Sequence, residues 1–317
     1  KTNDMIMNMA LPGFSGFTEV ATNIGRVDNT GFELSLNTLN IANNVLEWNT
    51  NVTFSYNKNK IRHIDYQMEN VLDENGNIIG QKEIDQPSKG WFVGQPIGVI
   101  WDYKVDGIWQ ADQAEEAAKV GQKPGDYRVQ NYYTGDDIVD PVTGERTPVY
   151  NDKDKQFLGQ TTPPVYLSMR NDFTLWKDFT ISFTFYSKLG HKSRSWSYAN
   201  GDNASDIIVH GLNTYEKEYW TPETPSDYFA RLNARGPNGA TSVPRVINRN
   251  FLRLSDLTFG YTLPRKWTQK AYMEKVRVSF GIKNLFTINP PKWSYGDPED
   301  GNGLGTRLFN FGINVTF

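Results

Sequence analysis

The feature that most constrains the fold is an alternation of apolar and polar residues with a period of two. It recurs in seven segments, near residues 30–40, 45–57, 163–175, 178–190, 251–263, 275–286 and 305–317. Because successive side chains of a β-strand point to opposite faces, this pattern predicts strands with one apolar and one polar face. Aromatic residues, which favour strands, make up 14% of the chain. The sequence therefore predicts an all-β fold of antiparallel strands.

The segment 251–263 changes its phase partway along. Leu252 and Leu254 have one parity, whereas Leu257 and Phe259 have the other. A single regular strand cannot keep both pairs on one face, so an extra residue near Ser255–Asp256 would form a β-bulge. The alternative is a strand that begins only at Asp256.

Alternation alone leaves open whether the apolar face packs on a second sheet or contacts lipid. Short connections (40–45, 176–178 and 264–274) alternate with long ones (58–162, 191–249 and 287–304), as in outer-membrane barrels. Trp48, Trp176 and Trp267 lie at the ends with short turns, where an interfacial aromatic girdle is expected. Charged residues are spread along the polar face. These features favour a transmembrane barrel, and a secreted carbohydrate-binding or carbohydrate-degrading β-sandwich is the alternative.

Composition excludes several other classes of protein. The 33 Lys and Arg residues are balanced by 36 Asp and Glu, a net charge of −3, which argues against nucleic acid as a partner. The absence of cysteine excludes disulfides, thiol catalysis and Cys-ligated zinc. No phosphate-binding loop, dinucleotide fingerprint or nucleophile elbow is present, so no enzymatic activity is expected. No apolar run approaches the roughly 18 residues of a membrane helix.

Seven strands do not close a bacterial barrel, because such barrels have even strand numbers from about 8 upward. Residues 1–29 are assigned to an extracellular loop and a strand remnant, with Leu11–Gly16 as loop. Lys1 is not the start of a signal peptide. The chain is therefore expected to be the C-terminal part of a larger barrel whose other strands pair with its edges.

An ordered succession of motifs covers nearly the whole chain: Asn23–Leu34, Val93–Gly98, Asp106–Gln110, Pro124–Arg128, Phe251–Pro264 and Asn284–Thr287. This succession resembles the C-terminal part of a SusC/RagA-type TonB-dependent outer-membrane transporter. The resemblance implies a 22-stranded barrel with its last seven strands here, and an upstream plug and TonB-contacting segment. It also implies a SusD-like surface lipoprotein as partner, and import of oligosaccharides or peptides across the outer membrane.

The long loops carry the candidate ligand contacts, which are Trp91, Trp101, Trp109, Tyr132 and Tyr133. Aromatic faces stack on sugar rings and pack on peptide side chains, but aromatic residues that anchor a loop look identical in sequence.

The loop 126–160 departs from the pattern of the resembled family, in which many members carry an Asp/Asn-rich loop similar to a calcium-binding loop. Calcium requires about six to eight oxygen ligands. Weak candidates are Asp136, Asp137, Asn151, Asp152 and Asp154, and a solvated acidic loop is the alternative. His63, His191 and His210 have no metal-ligand spacing.

The terminal strand ends in an aromatic residue. Phe317 follows Val315, Phe311 and Phe309 on one face, and this arrangement resembles the signal by which the assembly machinery recognises outer-membrane barrels. The alternative is that Phe317 only anchors the strand at the periplasmic interface.

Overall fold

A computed structural model describes residues 2–10, 19–64, 67–73, 75–195, 219–239, 243–291, 293, 297–299 and 305–317. Within these ranges the chain is dominated by strands: β1 (Thr2–Ala10), β2 (Glu19–Ala42), β3 (Leu46–His63), β4 (Met68–Leu72), β5 (Ile78–Glu83), β6 (Val99–Tyr103), β7 (Val105–Ile108), β8 (Tyr127–Val129), β9 (Ile138–Val139), β10 (Arg146–Thr147), β11 (Lys155–Gln160), β12 (Val165–Leu175), β13 (Phe179–Leu189), β14 (Lys192–Ser195), β15 (Arg245–Asn248), β16 (Phe251–Thr262), β17 (Lys275–Ile288) and β18 (Leu308–Thr316). Two short α-helices are α1 (Ala114–Lys119) and α2 (Arg265–Thr268). Turns of 3₁₀-helix lie at Pro87–Lys89, Ala111–Gln113, Thr134–Asp136, Asp152–Asp154, Pro237–Gly239 and Gln269–Ala271.

Eight strands form one sheet in the order β1-β2-β3-β12-β13-β16-β17-β18, and each neighbouring pair is antiparallel. The other ten strands form two-stranded ribbons within the long connections. Strands that follow one another across a long connection, such as β3 and β12, are hydrogen-bonded neighbours in the sheet. The predicted all-β, antiparallel architecture is confirmed.

The sheet has one strand more than the alternation indicated. Residues 1–29, assigned from the sequence to a loop and a strand remnant, include β1 and the first part of β2. β1 pairs with the start of β2, for example Met7 with Thr22. The segment Leu11–Gly16, expected to be loop, lies outside the described residues. β2 is 24 residues long, far more than the roughly 9–11 residues that cross a membrane. The backbone pairs of its first part with β1 and with the end of β3 account for the extension.

The predicted β-bulge in 251–263 is confirmed, and the alternative of a strand starting at Asp256 is wrong. Thr184 of β13 pairs with Asp256 while the next residue, Phe185, pairs with Leu254, so Ser255 has no partner across the ladder. The same interruption appears on the other side of β16, where the register with β17 shifts between Leu254 and Asp256. The bulge allows the apolar residues on both sides of it to share one face.

The apolar face of the sheet is not covered by a second sheet in the described part of the chain. Phe311 of β18 is 69% exposed, and Phe32 of β2 is also exposed. A row of rings runs across this face, with neighbouring centroids 5.4 to 6.2 Å apart, from Trp48 through Phe173, Phe183 and Phe185 to Phe286. A sandwich would bury this row, so the β-sandwich alternative is wrong. No helix among the described residues is long and apolar enough to cross a membrane.

Two of the hydrophobic clusters lie in the long connections. One cluster contains Ile108, Tyr127, Trp220, Ala230 and Ala234, and it joins connection 58–162 to connection 191–249. A second cluster joins the same connections and contains Trp109, Ala117, Val120, Val129, Tyr150 and Val243. Ala117 belongs to α1, so the short helix expected from the sequence around Ala111–Val120 supplies part of this core. The loops are therefore folded structures with their own interiors.

Candidate functional site

A cavity of about 450 Å³ lies where connections 58–162 and 191–249 meet. Two of the five predicted ligand-contact aromatics, Trp91 and Trp101, line it together. Lys89, Thr161 and Arg194 are also part of the lining. The volume falls within the roughly 300–1,000 Å³ that is usual for small-molecule pockets. This cavity, which we call the aromatic cavity, is the candidate ligand site.

A tight turn positions one wall of the aromatic cavity. The backbone N–H of Gln86 donates to the Trp91 carbonyl oxygen (2.8 Å), and the Trp91 N–H donates back to Gln86 (3.1 Å). Between these residues, a 3₁₀ turn over Pro87–Lys89 ends at Gly90, whose φ of 70° is left-handed. Glycine adopts this conformation without the steric cost of a Cβ atom. The turn places the Lys89 ammonium 5.0 Å from the centroid of the Trp91 ring.

The opposite wall is built on β6 and its partner β11. Trp101 is paired with Phe157 across this ribbon. At the start of β6, Gly98 has a φ of 77°, and a Cβ atom there would lie 2.6 Å from the Thr161 hydroxyl oxygen. The Gly98 carbonyl accepts a hydrogen bond from the Thr161 N–H (2.9 Å). Gly98, the last residue of the Val93–Gly98 motif, thus allows the backbone at the start of β6 to pass close to Thr161, which precedes β12.

Two basic side chains are part of the lining of the aromatic cavity. Arg194 of β14 donates from Nε to the Asp102 carboxylate (2.9 Å) and from Nη2 to the Trp101 carbonyl (3.2 Å). Lys155 lies outside the lining with its Nζ 4.8 Å from the Trp101 ring centroid. Lys89 and Arg194 are basic, and no acidic residue is among the described lining residues.

The structure does not bring the other three predicted aromatics to this cavity. Trp109 is only 9% exposed, belongs to a hydrophobic core, and donates its indole N–H to Gln122 Oε1 (3.0 Å). Trp109 therefore anchors its loop, which is the alternative to ligand contact given for these aromatic residues. Tyr132 is 62% exposed, and Lys153 Nζ lies 4.6 Å from the Tyr133 ring centroid. The backbone N–H groups of both tyrosines donate to the buried Asp154 carboxylate, each at 3.0 Å.

The candidate calcium ligands are engaged with donors from the chain. Asp136 accepts from Lys153 Nζ (2.8 Å) and Asn151 Nδ2 (3.0 Å), and the bond from Lys153 lowers the pKa of Asp136. Asp152 is paired with Lys155 (2.8 Å). Asp137 accepts from Asn131 and from the Val149 N–H. Among the described residues no three acidic or histidine side chains converge as a metal site. Calcium requires about six to eight converging oxygen ligands. A calcium site in the loop 126–160 stays a prediction.

The Pro-Gly-Asp motif has a structural role. Asp126 is fully buried, and its carboxylate accepts from the N–H groups of Lys123 and Arg235, both at 2.9 Å, and pairs with Arg231 (2.8 Å). Tyr127 beside it is buried in the first hydrophobic cluster, and burial raises the pKa of its phenol. The motif therefore fastens connection 58–162 to connection 191–249.

An ion-pair cluster that the sequence reasoning missed fixes part of connection 287–304. Asp297 is buried against Arg253 of β16, and Glu299 pairs with both Arg253 (3.1 Å) and Lys188 of β13 (2.6 Å). Arg249 donates to the Pro298 carbonyl (2.6 Å). Lys188 and Arg253 stand on the polar face of the sheet, so residues 297–299 lie against that face. Arg253 is 44 and 46 residues from its two acidic partners, and Lys188 is further still from Glu299, so these pairs leave no local signal in the sequence.

Fold and loops together define a segment of a large antiparallel barrel that carries folded connections on one side. No protein-family model matches the chain. It is 24% identical over its whole length to TonB-dependent receptor P3 of Formosa agariphila, of which it covers 31%. It is 21% identical, again over its whole length, to TonB-dependent receptor SusC of Bacteroides thetaiotaomicron, of which it covers 29%.

Solved structures show the same likeness. A chain of the RagAB peptide transporter matches 99% of this chain with a TM-score of 0.65 at 21% identity, and 32% of that chain is covered. The chain thus spans about a third of the length of the relatives it matches. The predicted resemblance to SusC/RagA-type TonB-dependent transporters, the barrel fold and the outer-membrane location are confirmed. These relatives are named as receptors and transporters, not as enzymes.

Proposed function

We propose that the full-length protein imports oligosaccharides or peptides across the outer membrane in a TonB-dependent manner, and that this chain is the C-terminal part of its barrel. The observation that supports the proposal is the match of 99% of the chain, with a TM-score of 0.65, to about a third of a chain of a solved peptide transporter. Two open edges support it, because β18 and the part of β2 from Asp28 to Ala42 each lack a neighbour on one side among the described strands, and unpaired backbone groups cost several kcal/mol each in lipid.

The partners follow from the same likeness. The remaining strands and the plug of the same protein close the barrel, a SusD-like surface lipoprotein covers the folded connections, and the TonB complex acts through the missing N-terminal part. Lipid contacts the exposed apolar face that includes Phe32 and Phe311. The aromatic cavity serves as a ligand contact in the extracellular connections, with Trp91 and Trp101 as the binding aromatics.

The experiment that tests the proposal is growth of a strain that lacks the gene for the full-length protein. We expect it to lose growth on an oligosaccharide or peptide mixture as limiting nutrient, and to keep growth on free monosaccharides and amino acids. The gene supplied in trans should restore growth, whereas the same gene without its TonB-contacting segment should not. Restoration by the second version would contradict energy-coupled import.

A further inference from the structure

We propose that a groove on the polar face of the sheet binds an uncharged oligosaccharide chain that lies across the strands. The inference rests on the proposed function and deepens it, because it favours oligosaccharides over peptides as the class of substrate. This groove, which we call the hydroxyl groove, lies on the strands, whereas the aromatic cavity lies among the connections.

The hydroxyl groove is a cavity of about 560 Å³ on the neighbouring strands β2, β3, β12 and β13. Its volume is within the roughly 300–1,000 Å³ that is usual for ligand pockets. Most of its lining residues have the parity of the polar face, which water reaches in a barrel: Glu33, Ser35, Thr53, Ser55, Tyr166, Ser168 and Tyr186. Among the described lining residues Glu33 alone is charged, and its carboxylate is a good acceptor for the hydroxyl groups of a sugar.

The hydroxyl groups of the groove form a row perpendicular to the strands. Thr53 is the ladder partner of Ser35 on one side and of Ser168 on the other. Ser168 in turn pairs with Tyr186. Neighbouring strands lie about 4.7–4.9 Å apart, an interval close to the length of one pyranose unit, whereas an extended peptide advances about 3.3–3.4 Å per residue. The row therefore matches the repeat of an oligosaccharide better than that of a peptide.

These hydroxyl groups are available to a ligand. In the described part of the chain, the side chains of Thr53, Ser55 and Ser168 have no hydrogen-bond partner. A hydroxyl group both donates and accepts, as the hydroxyl groups of a sugar do. An uncharged sugar chain therefore satisfies the row without burying an unpaired charge.

Two tyrosine rings supply apolar surface at one end of the hydroxyl groove. Tyr166 is 40% exposed, and Lys188 Nζ lies 5.6 Å from its ring centroid. Tyr186 is oriented because it donates its hydroxyl hydrogen to Glu299 and makes an edge-to-face contact with Phe251 at 5.6 Å. Glu299 is also paired with Lys188 (2.6 Å), so the charges at this end neutralise each other. Aromatic faces of this kind stack on the apolar faces of sugar rings.

Binding of neutral sugars to the detergent-purified full-length protein, measured by calorimetry, tests the inference. The probes are hexasaccharides of glucose, mannose, xylose and galactose, and an uncharged hexapeptide with blocked ends. We expect the wild-type protein to bind at least one hexasaccharide. Thr53→Val keeps the shape of the side chain and removes its hydroxyl group, so it should weaken binding of that sugar about 2- to 13-fold, the range for one neutral hydrogen bond.

A matched control is available on the same face of the sheet. Thr258 of β16 is exposed and lies outside the hydroxyl groove, so Thr258→Val should leave the affinity for the hexasaccharide unchanged. Ser168→Ala should weaken binding as Thr53→Val does, which shows that the loss follows the row and not one substitution.

Cysteine labelling locates the ligand. The sequence contains no cysteine, so Ser168→Cys introduces a single thiol in this part of the protein. We expect a water-soluble maleimide to label this variant, and bound hexasaccharide to slow the labelling. Absence of labelling without sugar would show that another part of the protein, such as the plug, covers the groove, and would overturn the inference.

Binding of no hexasaccharide, equal effects of Thr53→Val and Thr258→Val, or a loss of affinity for the hexapeptide alone would overturn the inference as well. In each of these cases the growth experiment of the previous section would still show that the gene is required for import. Failure of the inference is therefore distinguishable from failure of the proposed function.

Discussion

Substitution of Phe183 by arginine is the sharpest test of which face of the sheet meets lipid. Phe183 is the fifth residue of the eleven-residue strand β13, so it lies near the middle of the membrane-crossing part. Its ring packs between Phe173 and Phe185, with centroid distances of 5.9 and 5.8 Å. The prediction is that Phe183→Arg strongly destabilises the barrel because a cation then replaces a ring on the lipid face.

The magnitude has two contributions. Arginine on the lipid face near the bilayer midplane costs about 2–4 kcal/mol. Loss of the ring contacts adds about 0.5–1.5 kcal/mol for an aromatic pair. We therefore expect the free energy of unfolding to fall by about 2.5–5.5 kcal/mol for Phe183→Arg.

The neighbouring residue provides a matched control. Thr184 is on the opposite face, where its ladder partners are Arg170 and Asp256. Thr184→Arg places the new cation beside an existing carboxylate in a face that water reaches, and we expect a change of less than about 1 kcal/mol.

The assay is denaturant unfolding of the full-length protein in lipid vesicles, with both variants compared to the wild type. Equal destabilisation by the two substitutions would refute the assignment of faces. Spin labels give an independent reading, and contact with water at position 183 together with contact with lipid at position 184 would refute it as well.

Three further predictions concern the ends and turns of the strands. His191 is buried without an acceptor or donor for its Nδ1 among the described residues, and burial, followed by the charges of Arg249 and Lys188, lowers its pKa to about 4. Neutral His191 therefore contributes fully to stability above its unfolded-state pKa of 6.5, and this contribution is lost as the pH falls through about 4. The His191→Gln variant should lack this acid sensitivity when hydrogen exchange is measured near β14. Lys177 has a φ of 65° in the turn between β12 and β13, and Lys177→Gly should raise the free energy of unfolding by about 0.5–1 kcal/mol because glycine avoids that strain, whereas an unchanged value would place the strain elsewhere. Phe317→Leu in the full-length protein should lower the amount inserted in the outer membrane and leave the heat resistance of the inserted barrel unchanged; unchanged insertion would leave Phe317 as an interfacial anchor only.

The strands that cross the membrane could be predicted because their two faces meet different solvents. In β18, lipid on one side and water on the other impose alternation on every residue from Phe309 to Val315. The same rule located the bulge at Ser255, since a phase change in the pattern has to be absorbed by the backbone. The neighbour order of these strands in the sheet follows their order in the chain.

The additional strand and the long extensions follow a different rule. The first part of β2 is held by backbone pairs with β1 on one side and β3 on the other. A segment stabilised in this way beyond the membrane needs no apolar face, so its side chains leave no alternation to detect. β1 does carry a weak signal, because Met5, Met7 and Met9 share one parity.

The aromatic residues of the connections show why a binding site is harder to predict than a strand. Trp101 and Trp109 are eight residues apart in the same connection, and neither neighbourhood distinguishes them. Trp109 is enclosed because Gln122 accepts its N–H and Val243, more than a hundred residues away, packs in the same cluster. Trp101 lines a cavity together with Arg194, which is 93 residues away in the chain and donates to the Trp101 carbonyl. The environment of each indole is therefore set by partners that are distant in the sequence, and no local pattern distinguishes a cavity-lining tryptophan from one in a hydrophobic cluster.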